Sequence, residues 1–347
     1  MRERSRIACC AAVLLLLTPA FAQDPVAKGI EEFHQGKYEA AKSTLEQALK
    51  HKSGDAHART FLALSRAATG GCDIAANDLY DAFTNNQDSD LRRMAGLALV
   101  QCHLSHDRLD AAIPVALALQ REFPADPDVL YQAARLHMKA WNDVVFQMFQ
   151  KTPASYRVNQ VSAEIFEIQG RYADAITEYR KAIEKNPAAI NLHFCLGRAL
   201  VLQSHSPDAL SAARREFEAE LQLNPSDAVA EYEIGQILLG ENKPHEAAPR
   251  FERALTLSPD FGEALLAVAK LHADARHYDE AIPLLERAVR LQPANESAHY
   301  NLMIAYRNAG RSADAQREKA EVDKLKRPPS GEFTEFLKKL GEKAPNQ

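Results

Sequence analysis

Three short stretches in the last third of the chain share one pattern: NKPHEAA at residues 242–248, RHYDEAI at 276–282 and GRSADA at 310–315. Each begins 34 residues after the previous one. The pattern occurs earlier as GRYADAI at 170–176 and as GKYEAA at 36–41. A recurrence at this spacing indicates tandem copies of one supersecondary unit, which must stack on its neighbours to bury a continuous apolar core.

The spacing of apolar residues within each repeat predicts two amphipathic helices. The second helix carries a small residue, a large apolar residue and another alanine on one stripe, as in Ala247, Phe251 and Ala254. The prolines that stop the second helices are Pro187, Pro225, Pro259 and Pro293. The first helix carries an apolar–small pair where helices must approach closely, in Leu196–Gly197, Ile234–Gly235 and Val268–Ala269.

A second set of prolines predicts where the second helices begin. Pro114, Pro249 and Pro283 each follow a small alanine by two residues. A proline in the middle of a helix would break it, whereas its missing N–H costs little in or just beyond the first turn. The helices are therefore predicted to begin only a few residues earlier, near Asp110, His245 and Asp279.

The period divides residues 24–327 into nine predicted repeats: 24–55, 56–92, 93–126, 127–155, 156–189, 190–227, 228–261, 262–295 and 296–327. The fourth repeat is short, and its second helix is predicted to run only from Trp141 to Lys151. The sixth repeat has four extra residues at 204–207 and carries Glu220 where an alanine is expected. This substitution predicts a helix pair that is loosened or turned outward.

The pattern resembles the tetratricopeptide repeat over roughly residues 24–327. The resemblance implies an all-α fold, an α-α superhelical solenoid of about nine helix–turn–helix repeats. It also implies that the first helices line a concave groove that receives segments of partner proteins. Carried over to this chain, the partner-binding residues are Tyr131, Arg135, Phe194, Arg198, Tyr232, Gln236, Lys270, Tyr300 and Arg307.

In this predicted groove an aromatic residue recurs one turn before a cation or an amide. Aromatic and arginine side chains are favoured at binding hot spots, because they offer buried area and a forked donor. The alternative is that the aromatic residues only pack against the next repeat. Trp141 and Phe146 in the irregular fourth repeat form a secondary apolar patch that is a further candidate for partner contact.

The first 22 residues read as a signal peptide. Three arginines precede an apolar run at residues 7–17, and Ala20-Phe21-Ala22 forms a small-x-small site with cleavage expected before Gln23. The run is too short to span a bilayer. Lipidation is disfavoured because Cys9 and Cys10 lie at the start of the run, not after it. The mature protein is therefore expected to be exported, to the periplasm or beyond.

The other end of the chain predicts a capping helix at residues 328–347. After Pro328-Pro329, apolar residues follow at helical spacing in Phe333, Phe336, Leu337 and Leu340. Such a helix would cover the last repeat face, as solenoid ends require. The alternative is a helix that docks on a partner.

Two cysteines are placed to form a disulfide. Cys72 begins the second helix of its repeat, and Cys102 lies late in the first helix of the next repeat. Since neighbouring solenoid helices run antiparallel, the thiols come within bonding reach in an oxidising compartment. The alternative is two buried free thiols. Cys195 has no nearby partner and is expected to be a buried free thiol.

No signature of catalysis accompanies the repeats. Zinc-peptidase, nucleophile-elbow and C-x-x-C motifs are absent, and Glu164 with Glu167 is the only carboxylate pair on a first-helix face. The net charge of −5, with no basic block, argues against nucleic-acid binding. We therefore expect a non-catalytic scaffold of the cell envelope that binds a protein and needs no cofactor or metal. The alternative is an accessory subunit of an envelope peptidase or carbohydrate-active enzyme.

Overall fold

The computed structural model describes residues 24–326, and this range contains 17 α-helices and no strand. The all-α prediction is confirmed. The signal peptide predicted at residues 1–22 and the capping helix predicted at 328–347 lie outside the described residues. The chain divides between Gln147 and Met148 into two compact parts, here called the N-terminal and the C-terminal module. Within residues 24–326, no helix has both the length and the apolar character needed to cross a membrane.

The N-terminal module contains three helix pairs and most of a long single helix. Its core consists mainly of buried leucine and alanine side chains. The helices are α1 (Pro25–His34), α2 (Tyr38–His51), α3 (Ala56–Ala68), α4 (Cys72–Asn85), α5 (Ser89–Ser105), α6 (Leu109–Glu122) and α7 (Pro127–Lys151).

The C-terminal module contains five helix pairs. Its largest fully buried side chains include Tyr179, Phe217 and Phe251, the large apolar residues of the second-helix stripe. The helices are α8 (Tyr156–Ile168), α9 (Tyr172–Lys185), α10 (Leu192–Gln203), α11 (Pro207–Leu223), α12 (Ala228–Gly240), α13 (Pro244–Leu257), α14 (Gly262–Asp274), α15 (Tyr278–Leu291), α16 (Glu296–Asn308) and α17 (Ser312–Leu325).

The glycine of the apolar–small pair lies directly against the aromatic ring of the second helix. A Cβ atom built on Gly235 would lie 2.6 Å from the Phe251 ring, and one on Gly197 would lie 2.7 Å from the Phe217 ring. Both distances are shorter than any normal contact between carbon atoms. The close approach predicted for the two helices of these repeats is therefore present.

The second helices begin where the prolines predict. Helices α6, α13 and α15 begin at Leu109, Pro244 and Tyr278, one residue before the predicted positions. Their prolines are thus the sixth helical residues, and each deletes a single backbone hydrogen bond.

The prediction for the fourth repeat is wrong. Helix α7 runs without interruption from Pro127 to Lys151, so no separate second helix begins at Trp141. The residues between these ends contain neither glycine nor proline, and the chain therefore offers no turn at which a helix pair could fold back. The described residues form eight helix pairs and one single helix.

The prediction for Glu220 is also wrong. Its side chain is fully buried, and its two oxygens accept hydrogen bonds from the backbone N–H groups of Asn191 (2.8 Å) and Phe194 (3.3 Å). Asn191, the N-cap residue directly before α10, has a left-handed backbone (φ 75°), and its side chain makes no capping hydrogen bond. Glu220 of α11 therefore caps α10 from outside the helix, and ties the pair together.

The predicted disulfide is present in the structure. It joins Cys72, the first residue of α4, to Cys102 near the end of α5, with the two Cα atoms 5.3 Å apart. Cys195 is free, and it is partly buried instead of fully buried.

Candidate partner-binding face

The predicted binding residues divide between the two modules. Tyr131 and Arg135 lie on α7 in the N-terminal module, where Tyr131 is 63% exposed. The Arg135 guanidinium lies 5.8 Å from the centre of the Tyr131 ring and donates a hydrogen bond to Gln101 (3.2 Å). Trp141 and Phe146 are also exposed on α7. These side chains remain candidates for a surface contact, each with a large apolar area in solvent.

The other seven residues lie on first helices of the C-terminal module. Arg198, Lys270, Tyr300 and Arg307 are exposed, whereas Phe194, Tyr232 and Gln236 are partly buried.

Two of the predicted aromatic residues serve packing within the repeats. The Phe194 ring lies 5.5 Å from the Phe217 ring, and the Tyr232 ring lies 5.6 Å from Phe251 and 5.0 Å from Phe261. Their rings therefore fill the space between the helices of their own repeats, whereas the alternative interpretation of the sequence places them against the next repeat. Gln236 donates a hydrogen bond to the Tyr232 hydroxyl.

A charged network connects the first helices α8 and α10. One oxygen of Glu167, Oε2, accepts hydrogen bonds from the Tyr179 hydroxyl (2.9 Å) and from Nη2 of Arg198 (2.8 Å). The other oxygen, Oε1, is buried and has no hydrogen-bond partner. Since each carboxylate oxygen accepts up to two hydrogen bonds, half of the accepting capacity of the Glu167 carboxylate, that of Oε1, is unused.

The network shifts the pKa values of its members. Burial raises the pKa of the Tyr179 hydroxyl and of the Cys195 thiol, and Glu167 adds to both shifts. Burial acts to lower the pKa of Arg198, but the hydrogen bond and charge of Glu167 raise it overall. At neutral pH the tyrosine and the cysteine are therefore neutral, and Arg198 and Glu167 form the ion pair of the network.

Glu233 on α12 also interacts electrostatically with Arg198. It is partly buried, and burial raises the pKa of Glu233 while the charge of Arg198 opposes that rise. Among the described residues its carboxyl group makes no hydrogen bond. The repeat pattern predicts no role for this residue. Its signal was an acid immediately before the Ile234–Gly235 pair, a position that holds Cys195 and Ala267 in other repeats.

Two apolar side chains lie exposed on the same helix faces. Ile168 lies one turn after Glu164 on α8 and is 84% exposed, and Leu202 lies one turn after Arg198 on α10 and is 47% exposed. We call the surface formed by these residues the first-helix face; its members are Glu164, Glu167, Ile168, Arg198, Leu202, Tyr232, Glu233 and Gln236.

The carboxylate pair noted in the sequence is engaged in structural contacts. Glu164 accepts a hydrogen bond from Gln160 (3.0 Å), while Glu167 is bonded to Tyr179 and Arg198. Across residues 24–326, no three His, Cys, Asp or Glu side chains come together as metal ligands would.

Sequence profiles of known families match several segments. The profile described as "Tetratricopeptide repeat" matches residues 26–90 and 196–260, and one described as "TPR repeat" matches residues 163–204. A third, "Bacterial transcriptional activator domain", matches residues 247–325. No curated protein matches the chain.

Solved structures similar to this chain are helical-repeat proteins. YrrB, described as "a TPR protein with an unusual peptide-binding site", is 19% identical, with 56% of this chain and 97% of that chain covered and a TM-score of 0.43. MamA from Desulfovibrio magneticus RS-1 is 18% identical, with 51% and 97% covered and a TM-score of 0.45. A further MamA structure is 18% identical, with 47% and 93% covered and a TM-score of 0.42.

Proposed function

Since the chain is a tetratricopeptide-repeat protein, we propose that it is a non-catalytic scaffold of the cell envelope that holds a segment of a partner protein on its first-helix face. Repeat proteins of this family generally act by binding other proteins, and this chain devotes residues 24–326 to repeats and one extra helix. The binding surface lies within the C-terminal module.

The exposure of Ile168 and Leu202 beside the charged network carries this proposal. At 84% and 47% exposed, these side chains leave apolar area in water. An apolar patch rimmed by charged groups is typical of a protein interaction site. The Glu167–Arg198 ion pair holds the charged side chains beside this apolar patch in place. A bound segment would therefore contact a preorganised surface.

Two features support export. Residues 1–22 have the composition of a signal peptide. A disulfide such as Cys72–Cys102 is typical of an oxidising compartment, because cytosolic thiols are kept reduced. Both features agree with a place in the periplasm or outside the cell.

Site-specific photocrosslinking in the native host tests the proposal. A photoreactive amino acid at Leu202 should give a discrete adduct with one protein. The same amino acid at Thr177, an exposed position on the second helix α9, should give none. Adducts of equal pattern from both positions, or no adduct from Leu202 in folded protein, would count against the first-helix face.

A further inference from the structure

Helix α7 carries two apolar stripes on different sides. The first consists of Val129, Ala133 and Leu136, which are buried in the N-terminal module. The second follows steps of three, four, three and four residues, and it lies about 150° from the first stripe around the helix axis. We call it the α7 seam; its residues are Tyr131, Ala134, Met138, Trp141 and Val145. Steps of this kind are typical of the a and d positions of a coiled coil.

The α7 seam lies on the solvent side of the helix. Tyr131, Met138 and Trp141 are 63%, 61% and 48% exposed, and Leu130 and Val144 beside them are exposed as well. Together these five residues leave roughly 600 Å² in solvent, about the largest apolar patch that a monomer normally exposes. A patch of this size on a coiled-coil seam indicates an interface with another helix.

We propose that α7 pairs in antiparallel orientation with α7 of a second copy of this chain, about a twofold axis between Lys139 and Ala140. A coiled-coil seam is covered by a helix with a seam of its own. Of the described helices, α7 exposes seven large apolar side chains and no other exposes more than two. Two copies of the seam cover about 1,200 Å², the lower limit for a stable specific interface. This interface lies in the N-terminal module and goes beyond the proposed function of the C-terminal module.

The residues beside the seam allow it to pair with itself. Arg135 carries the only permanent charge among these flanking residues, which are Leu130, Arg135, His137, Asn142 and Val144. In the proposed register Arg135 lies opposite Asn142 of the second copy, so like charges do not meet. A relative shift of one heptad would bring two Arg135 side chains together and is disfavoured. A different partner chosen through ion pairs would need more charged flanking residues than α7 offers.

The centre of the interface pairs Met138 of each copy with Trp141 of the other. Methionine sulfur makes favourable contacts with aromatic rings. Trp141 is the only tryptophan of the chain, so its fluorescence reports on this interface directly. Dilution of the folded full chain should shift the emission of Trp141 to longer wavelength as dimers dissociate. The shift should fall in the concentration range in which sedimentation velocity shows dimers giving way to monomers.

Two substitutions on α7 separate the seam from the rest of the helix. Met138→Glu should weaken the dimer by about a hundredfold or more, because twofold symmetry places two charges in the apolar interface. The matched control Phe146→Glu replaces an exposed apolar residue outside the seam and should leave the dissociation constant unchanged. Circular dichroism should show wild-type helical content in both variants, and Ala134→Glu takes the place of Met138→Glu if that variant unfolds.

Cysteine crosslinking tests the direction of the pairing. In a Cys195→Ser background, chains with Arg135→Cys should form disulfides with chains that carry Asn142→Cys, and neither should crosslink to its own kind. Self-crosslinking of Arg135→Cys would overturn the antiparallel register. Folded wild type that stays monomeric at its highest soluble concentration, or a dimer whose Trp141 emission is constant on dilution, would overturn the proposal. Equal weakening by Met138→Glu and Phe146→Glu would also overturn it.

Discussion

Replacing Glu220 with alanine tests how far the buried carboxyl group supports the C-terminal module. Alanine is the residue that the repeat pattern expects here, so the pattern alone predicts that the change stabilises the protein. The structure predicts the reverse, because both oxygens of Glu220 receive backbone N–H groups at the start of α10, from Asn191 and Phe194.

The expected cost follows from the two contacts. Loss of a helix cap costs about 1–2 kcal/mol, and loss of a buried negative charge at a helix N-terminus adds up to about 2 kcal/mol. Glu220→Ala should therefore lower the free energy of unfolding by about 1–4 kcal/mol. Glu220→Gln keeps one acceptor oxygen at the same place and should lose about half of that.

Urea unfolding followed by far-UV circular dichroism measures these differences. Hydrogen exchange should localise the change to the first turn of α10, at the amides that Glu220 now binds. Glu218→Ala on the same helix is the control, since its exposed ion pair with Arg214 is worth less than about 1 kcal/mol. The reasoning is refuted if Glu220→Ala is as stable as wild type, or if its extra exchange lies outside α10.

Three further changes have defined outcomes. Burial raises the pKa of Glu233, so its ionised carboxylate destabilises the folded state at neutral pH. Glu233→Gln should therefore raise the melting temperature at neutral pH. This gain should be lost below about pH 4, where Glu233 is protonated in the unfolded chain as well. A gain that persists at low pH would contradict this cause. Gly235→Ala should cost about 1–3 kcal/mol in urea unfolding because its methyl group meets Phe251, whereas Gly240→Ala in open space on the same helix should gain up to about 1 kcal/mol. Equal changes in the free energy of unfolding for Gly235→Ala and Gly240→Ala would rule out a clash with Phe251 as the cause. Cys72→Ser should lower stability by about 3–4 kcal/mol through loss of a disulfide that closes 30 residues, and reductant should destabilise wild type but not the variant.

The helices could be predicted from the sequence because local backbone constraints mark them. Prolines at fixed places restrict where a second helix can begin, and the starts of α13 and α15 were predicted within one residue. The prediction for the fourth repeat failed because it assumed a helix pair from the repeat period. The sequence between Pro127 and Lys151 contains no glycine or proline that would form a turn, and it forms one helix. Where no glycine or proline interrupts good helix formers, the helix continues.

The charged groups of the face were harder to predict because their partners are distant in sequence. A repeat pattern indicates that position 220 is buried, but the backbone groups that satisfy Glu220 lie 29 and 26 residues away. Arg198 was predicted as a free groove residue, yet it is bound to Glu167, 31 residues earlier. Glu233 escaped notice because its defining property, the lack of a partner, is visible only in three dimensions.

Photocrosslinking from Leu202 in the native host, with Thr177 as the matched control position, tests the central claim most directly. We expect one discrete adduct from Leu202 and none from Thr177. No adduct from Leu202 in folded protein, or the same adducts from both positions, would contradict the claim that the first-helix face holds a segment of a partner.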